Sequence, residues 1–198
     1  METRQQKALH TKEKILNAAV QLFSEKKFTE VTVDDILKMA GSSKGAFYTH
    51  FKSKHDIFLH GFKIIDSHYL DNVIRNLPSE DRYRNKIKNF FRAQAAYVEE
   101  YIGINIVKTV YEAELVSDKE HYLLQEDRPM YKFLINIFEE GQKNGEFRTD
   151  ISPEKMLLII NRTIHGLYYD WLINNGSFSL VEEQEISFEI IIEYFSSK

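Results

Sequence analysis

Cysteine is absent from the 198 residues, which excludes disulfides and thiolate metal sites and leaves packing to hold the fold. Prolines number three and glycines eight, so the chain is seldom interrupted; with apolar residues recurring every three and four positions, that scarcity points to an all-α fold. No apolar run reaches the roughly 18 uncharged residues of a membrane helix, and the opening METRQQKALHTKEK is polar, without a signal-peptide core. A cytoplasmic protein with no membrane contact is therefore expected. The chain also lacks G-x-S-x-G, a P-loop and G-x-G-x-x-G, and acidic pairs such as Glu139-Glu140 are adjacent on an expected exposed helix surface. No enzyme, catalytic residue or cofactor is expected. The seven histidines form no H-E-x-x-H, and His55 and His60 miss the one-turn spacing, so no metal is expected either. His165, beside Gly166 in an apolar helix, reads as a hydrogen-bonded core or interface residue.

What is present is 43% apolar residues, enough for a substantial core, and an uneven distribution of charge. The net charge of −4 combines residues 1–54, with ten Lys/Arg against six Asp/Glu, and a remainder with 16 against 24. A head of +4 on a body of −8 suggests an anionic polymer as partner for the head.

Ile15, Ala18, Ala19, Leu22 and Phe23 share one face of a first helix expected over 11–25. Thr32 stands three residues before Asp35, the capping-box spacing, and opens a second helix ending near Ala40. Gly41 permits a turn, and Ser42 or Ser43 caps a third helix that buries Phe47 and Phe51, one turn apart. This is a helix-turn-helix. A longer helix follows from Ser53 to about 77, stopped by Pro78, and further helices are expected near 81–100, 102–116, 120–144, 153–174 and 180–196. The breaks between them are Gly103, the SDKE stretch, Asn144-Gly145, Pro153 and Asn175-Gly176.

The second helix of such a motif enters the major groove of DNA. Gly45 and Ala46 let backbone approach bases or a thymine methyl, Lys44 reaches guanine or phosphate, and Tyr48, Thr49 and His50 offer hydroxyl and ring N–H donors. Lys54, at the start of the next helix, is expected to clamp a phosphate.

Residues 15–58, ILNAAVQLFSEKKFTEVTVDDILKMAGSSKGAFYTHFKSKHDIF, resemble the DNA-binding domain of TetR-family transcriptional regulators. The likeness lies in IL..AA..LF, in T.DDI...AG.S.G.FY.HF.SK, and in their spacing; Lys27 departs from the glycine that often precedes the aromatic at Phe28. The resemblance implies a dimer whose DNA-facing positions are Thr32, Ser43, Lys44, Gly45, Ala46, Tyr48, Thr49, His50 and Lys54, with Ser42 beside them at the turn. The rest resembles the family only in pattern, through FEEGQKNGEFRTDISPEKM, a helix holding GLYYDW and a terminal helix. That pattern implies an effector cavity among the middle helices and a dimer bundle from the last two.

The expected organisation is a helix-turn-helix domain over 1–54 and a helical effector-binding and dimerisation domain over 55–198. The function that follows is a ligand-responsive regulator, read as a repressor, that binds a pseudo-palindromic double-stranded DNA operator as a homodimer and is released by a small molecule. A structural, nucleoid-type DNA binder with the same head and no effector is the rival, separated by whether its footprint is discrete or diffuse. Aromatic density in the body and few basic residues on the expected inner faces indicate an apolar or aromatic effector with a hydrogen-bonding group, cationic in one version. Tyr97, Tyr101, Tyr111, Glu112, Tyr131 and Tyr168 are the candidate contacts, beside the plainer reading of each aromatic as core.

Overall fold

The computed structural model describes residues 3–68, 71, 82–116 and 121–197. The expected continuation of the fourth helix to 77, its stop at Pro78 and the SDKE break lie outside them. Among the described residues the fold is all-α: α1 (Arg4–Glu25), α2 (Val33–Ala40), α3 (Lys44–His50), α4 (Lys54–His68), α5 (Tyr83–Tyr97), α6 (Gly103–Val116), α7 (Pro129–Lys143), α8 (Pro153–Ile173) and α9 (Leu180–Phe195). One antiparallel bridge, Phe147 to Ser196, joins the turn after α7 to the end of α9.

Three local differences from the sequence expectation have physical causes. α1 begins at Arg4 rather than 11, because Thr3 and Gln6 form a reciprocal capping box that satisfies the first-turn N–H groups of a polar, exposed stretch. Residues 120–144 are not one helix. A short 3-10 turn, Tyr122–Leu124, precedes α7, which starts at Pro129, where the missing N–H costs nothing and Arg128 ahead of the ring is held extended. The helix expected over 81–100 leaves α-geometry at Val98, continues as a π-turn to Ile102 and is broken by Gly103 at φ 75°.

The described chain divides into two compact units: Met1–Ile65 with Asn105–Leu124, and Asp66–Ile104 with Gln125–Lys198. The domains expected over 1–54 and 55–198 are not the compact groups, which change inside α4 and include most of α6 with the head. In the first unit, Ile15, Ala18, Ala19, Leu22 and Phe23 of α1 pack with Ile36 and Leu37 of α2, Phe47 of α3, Phe51, and Ile57 and Phe58 of α4. Ala113 of α6 joins this core, Ile106 and Val110 lie against it, and the buried Thr109 hydroxyl donates to the Phe23 carbonyl at 3.0 Å. That bond satisfies the hydroxyl where water is excluded.

The second unit is built from α5, α7, α8 and α9 around rings set edge-on or tilted. Phe90 meets Phe91 at 5.1 Å, Phe91 meets Phe188 at 5.0 Å, and Phe138 meets Phe147 at 5.3 Å. Two glutamates serve as remote helix caps. Glu146 accepts from the Tyr83 and Arg84 amides at the start of α5, which has no side-chain cap of its own. Glu99 accepts from the Leu180 and Val181 amides of α9. Each places a carboxylate on N–H groups at the positive end of a helix dipole.

Gly141 of α7 is set by packing. A Cβ there would stand 2.3 Å from Cδ2 and 2.6 Å from Cε2 of the fully buried Phe147, and 3.1 Å from Tyr83 Cβ. Overpacking costs about 1–3 kcal/mol, and this ring is walled in; helix propensity returns only about 1 kcal/mol for Gly→Ala. Gly141→Ala is therefore expected to lower the urea midpoint of unfolding, and an equal or higher midpoint would show that Phe147 can move aside.

Candidate nucleic-acid interface

The short helix α3 exists because its inner face is buried. Phe47 is fully buried and Phe51, its C-cap, nearly so, with ring centroids 5.9 Å apart. Gly41 at φ 60° takes the left-handed turn between α2 and α3, and Ser43 accepts from the Ala46 amide at 3.2 Å to start α3. Of the two serines that were alternatives for the cap, Ser43 holds it and Ser42 is half-buried in the turn.

Everything not committed to that core faces outward. Tyr48 is 61% exposed, its ring edge-on to Phe47 at 5.2 Å. Lys44, Gly45 and Thr49 are exposed, and Ala46 and His50 half-buried. A Cβ on Gly45 would meet only Ser43 Oγ, at 3.9 Å, an ordinary contact, so nothing inside the head requires glycine there. Thr49 donates to the Gly45 carbonyl at 2.8 Å, which leaves its hydroxyl oxygen as an acceptor. Lys44 Nζ lies 3.0 Å from Asp34 Oδ1; the pair is well exposed and holds the ammonium in its charged form by raising its pKa. Such exposed pairs are weak and easily exchanged for another anion.

Thr32 is spent on structure. It exchanges hydrogen bonds with Asp35, its hydroxyl donating to Oδ2 at 2.6 Å and accepting from the Asp35 amide at 3.1 Å. Donation to that carboxylate from the Thr32 hydroxyl, and from the Thr32 amide at 3.0 Å, holds Asp35 below the usual carboxylate range. Lys54 departs furthest from expectation. Its ammonium does not stand free for a phosphate but donates to the Phe28 and Val31 carbonyls, the second at 2.7 Å, and lies 4.2 Å from the Phe28 ring centroid. The carbonyls of the α1–α2 loop have no helical partners, and a lysine of this reach satisfies two at once. Burial lowers the Lys54 pKa.

The six candidate effector contacts are not gathered in one unit. Tyr111 and Glu112 belong to the first, whereas Tyr97, Tyr101, Tyr131 and Tyr168 belong to the second. Glu112 Oε2 is buried without a hydrogen-bond partner and borders a cleft of ≈ 270 Å³ with Lys26, Lys27, Lys108 and Thr109. Tyr97 and Tyr101 stack at 5.4 Å, and Tyr101 is 73% exposed. Tyr131 and Tyr168 are buried.

Sequence reasoning named Tyr131 but not its partners. Arg128 donates from Nε to Asp66 Oδ2 at 2.9 Å and from Nη2 to Oδ1 at 2.7 Å, while Nη1 donates to the Tyr131 hydroxyl at 2.9 Å. Both ions are buried, and burial together with Arg128 lowers the pKa of His165. The available signals were a lone acid within IIDSHYL and an arginine immediately before a helix-starting proline. Arg128 is a basic group buried inside the body, matched in charge by Asp66. Among the described residues, no group of three or more His, Cys, Asp or Glu is placed to hold a metal, and no helix is long and apolar enough to cross a membrane.

A three-helix head with a capped helix-turn-helix and an outward polar face, followed by a separate helical unit, defines the class of helix-turn-helix regulators. Residues 15–60 match the family described as bacterial regulatory proteins of the tetR family. The chain is 24% identical over 132 residues to the biofilm operon icaADBC negative transcriptional regulator IcaR of Staphylococcus epidermidis, covering 65% of this chain and 69% of that one. It is 22% identical over 188 residues to the fatty acid metabolism regulator protein of Bacillus subtilis, covering 93% and 95%. The fold is shared with Thermus thermophilus FadR, a TetR-family transcriptional repressor solved in complex with lauroyl-CoA, at a TM-score of 0.73 and 22% identity over 92% of this chain and 93% of that one. The match places a tetR-type DNA-binding segment at residues 15–60, and the relatives named for the longer chain are transcriptional regulators.

Proposed function

We propose that this regulator is a cytoplasmic repressor that binds a pseudo-palindromic DNA operator as a homodimer and leaves it when a small apolar molecule binds the helical body. Residues 1–54 carry the DNA-binding role and 55–198 the ligand-binding and dimerisation roles. The carrying observation is the outward face of α3: an exposed tyrosine, a lysine held only by a surface pair, a glycine without an internal reason, and a threonine with acceptor capacity to spare. A solvated helix has no use for this combination, whereas a helix in the major groove uses each member. Ser42, Ser43, Lys44, Gly45, Ala46, Tyr48, Thr49 and His50 form the proposed contact surface, with Thr32 at its edge. Binding-site selection from a randomised duplex pool tests the assignment. Lys44→Ala or Thr49→Ala is expected to change preference at particular base pairs, costing about 1–3 kcal/mol where a base contact is lost; unchanged preference in both would remove them from base readout.

Dimerisation is supported by large apolar side chains exposed on the last two helices. Tyr169 and Ile173 of α8 and Ile186, Ile190 and Tyr194 of α9 are more than half exposed, Ile190 at 70%. A Cβ on Gly166 would meet nothing within 4 Å in the single chain, so this gap in α8 serves close approach by a second copy. Two recognition helices about 34–36 Å apart would then match successive major grooves. Light scattering at micromolar concentration is expected to give a dimer for the wild type and dissociation for Gly166→Trp. A wild-type monomer that still binds its operator would overturn the arrangement.

For the effector, the buried Tyr131 and Tyr168 and the ring-rich interior of the second unit favour a molecule with a large apolar part and a hydrogen-bonding group. The buried charge of Arg128 is neutralised by Asp66, which gives little reason to bind a multiply anionic headgroup in the interior. The lauroyl chain bound by Thermus thermophilus FadR is one apolar example. A thermal-shift panel of aromatic compounds, fatty acids and acyl-CoA esters is expected to find a binder that also releases operator DNA. At 100 times its dissociation constant it would add about 2.7 kcal/mol of stability. Release by nucleotides or sugar phosphates alone would refute the apolar reading.

A further inference from the structure

We propose that the cleft between the end of α1 and α6 is a second small-molecule site, in the first unit rather than the second, and that it takes a zwitterion of amino-acid size. The ammonium of the ligand would point inward to Glu112 and its carboxylate would stay at a mouth lined by lysines. One wall of the cleft is the last turn of α1 with the loop after it; the other is the stretch of α6 that carries Asn105, Lys108, Thr109 and Glu112, all within the first unit. At ≈ 270 Å³ it falls just below the roughly 300–1,000 Å³ of drug-sized pockets, which suits a small metabolite.

The inner side of the cleft favours a positive donor. Glu112 Oε2 is buried without a hydrogen-bond partner, and a carboxylate oxygen so placed is costly until an N–H or O–H group reaches it. Thr109, 3% exposed, spends its hydroxyl proton on the Phe23 carbonyl and keeps acceptor capacity on the same oxygen. α1 ends here with no basic residue in its last turn, so the negative end of its dipole adds to the preference. The mouth has the opposite sign. Lys26, Lys27 and Lys108 are exposed there, against Glu25 and Glu30, and Glu25 already accepts from the Gln21 side-chain amide at 3.1 Å. A bare anion would meet the Glu112 carboxylate, and a bare cation three ammonium groups. A molecule with an ammonium and a carboxylate a few bonds apart satisfies both ends.

Titration calorimetry of the full chain with the standard α-amino acids, each up to about 10 mM, is expected to find at least one that binds. Removing either charge from that ligand is expected to weaken it by about tenfold or more: the N-acetyl derivative has no ammonium for Glu112, and the amide has no carboxylate for the lysines. Glu112→Gln keeps the shape of the side chain and removes a buried charge, so the ligand-free protein should melt no lower than the wild type while binding falls by about tenfold. Lys108→Met, on the exposed side of α6, should weaken binding by about two- to fivefold, as for one exposed ion pair. No binding by any amino acid would overturn the proposal, as would binding that survives Glu112→Gln and both ligand modifications. If Glu112→Gln fails to fold, the modified ligands still decide the point on the wild type. Binding is read on the free protein, so the outcome does not turn on whether α3 meets DNA.

Discussion

A helix of seven residues cannot keep its shape in water, because the cost of nucleation is spread over too few hydrogen bonds. The outward face of α3 is ordered only because Phe47 and Phe51 are buried beneath it against α1, α2 and α4. Everything proposed for recognition depends on those two rings. They hold a short polar helix rigid without spending its outer side chains, so Lys44, Tyr48 and Thr49 remain available to a partner while the energy comes from below. Full burial of an aromatic side chain of this kind contributes about 1.5–3 kcal/mol, well above the surface pair between Lys44 and Asp34 on the other side.

α4 carries the consequence along the chain. Near its start Lys54 is tied to the α1–α2 loop within the first unit, and within its last turn Asp66 receives both arms of Arg128 within the second. α6 is shared in another way. Gly103 and the π-turn end the preceding helix, and beyond them Thr109 and Ala113 are built into the core of the head. Small-molecule control of DNA affinity requires elements whose arrangement differs between two states, and a typical coupling is about 1–3 kcal/mol. α4 and α6 are the helices whose residues divide between the two units.

Most of the head was legible from residue order, because its information is local. The Thr32–Asp35 cap, the left-handed Gly41, the inward Phe47 and Phe51 and the outward Tyr48 each follow from spacing within a few residues, and each stands as expected. The boundaries were harder. Thr3 and Gln6 start α1 in a stretch without apolar period, and Pro129 begins α7 where an unbroken helix was expected, although both signals are local and readable afterwards. The bonds made by Lys54 were out of reach for a different reason. A lysine at a helix start points equally well to solvent or to its own loop, and only the position of the Phe28 and Val31 carbonyls decides between them.

The sequence by itself determined that the chain is helical, that it carries a helix-turn-helix near its start, and which side of α3 is free, since periodicity and capping depend on neighbours one turn away. Only the tertiary structure decided that α6 completes the core of the head, that Tyr111 and Glu112 lie in a different unit from Tyr131 and Tyr168, and that Arg128 is buried against Asp66. Those facts join residues 62 to 86 positions apart. At such separations a side chain finds its partner through the path of the whole chain, and no local spacing records it.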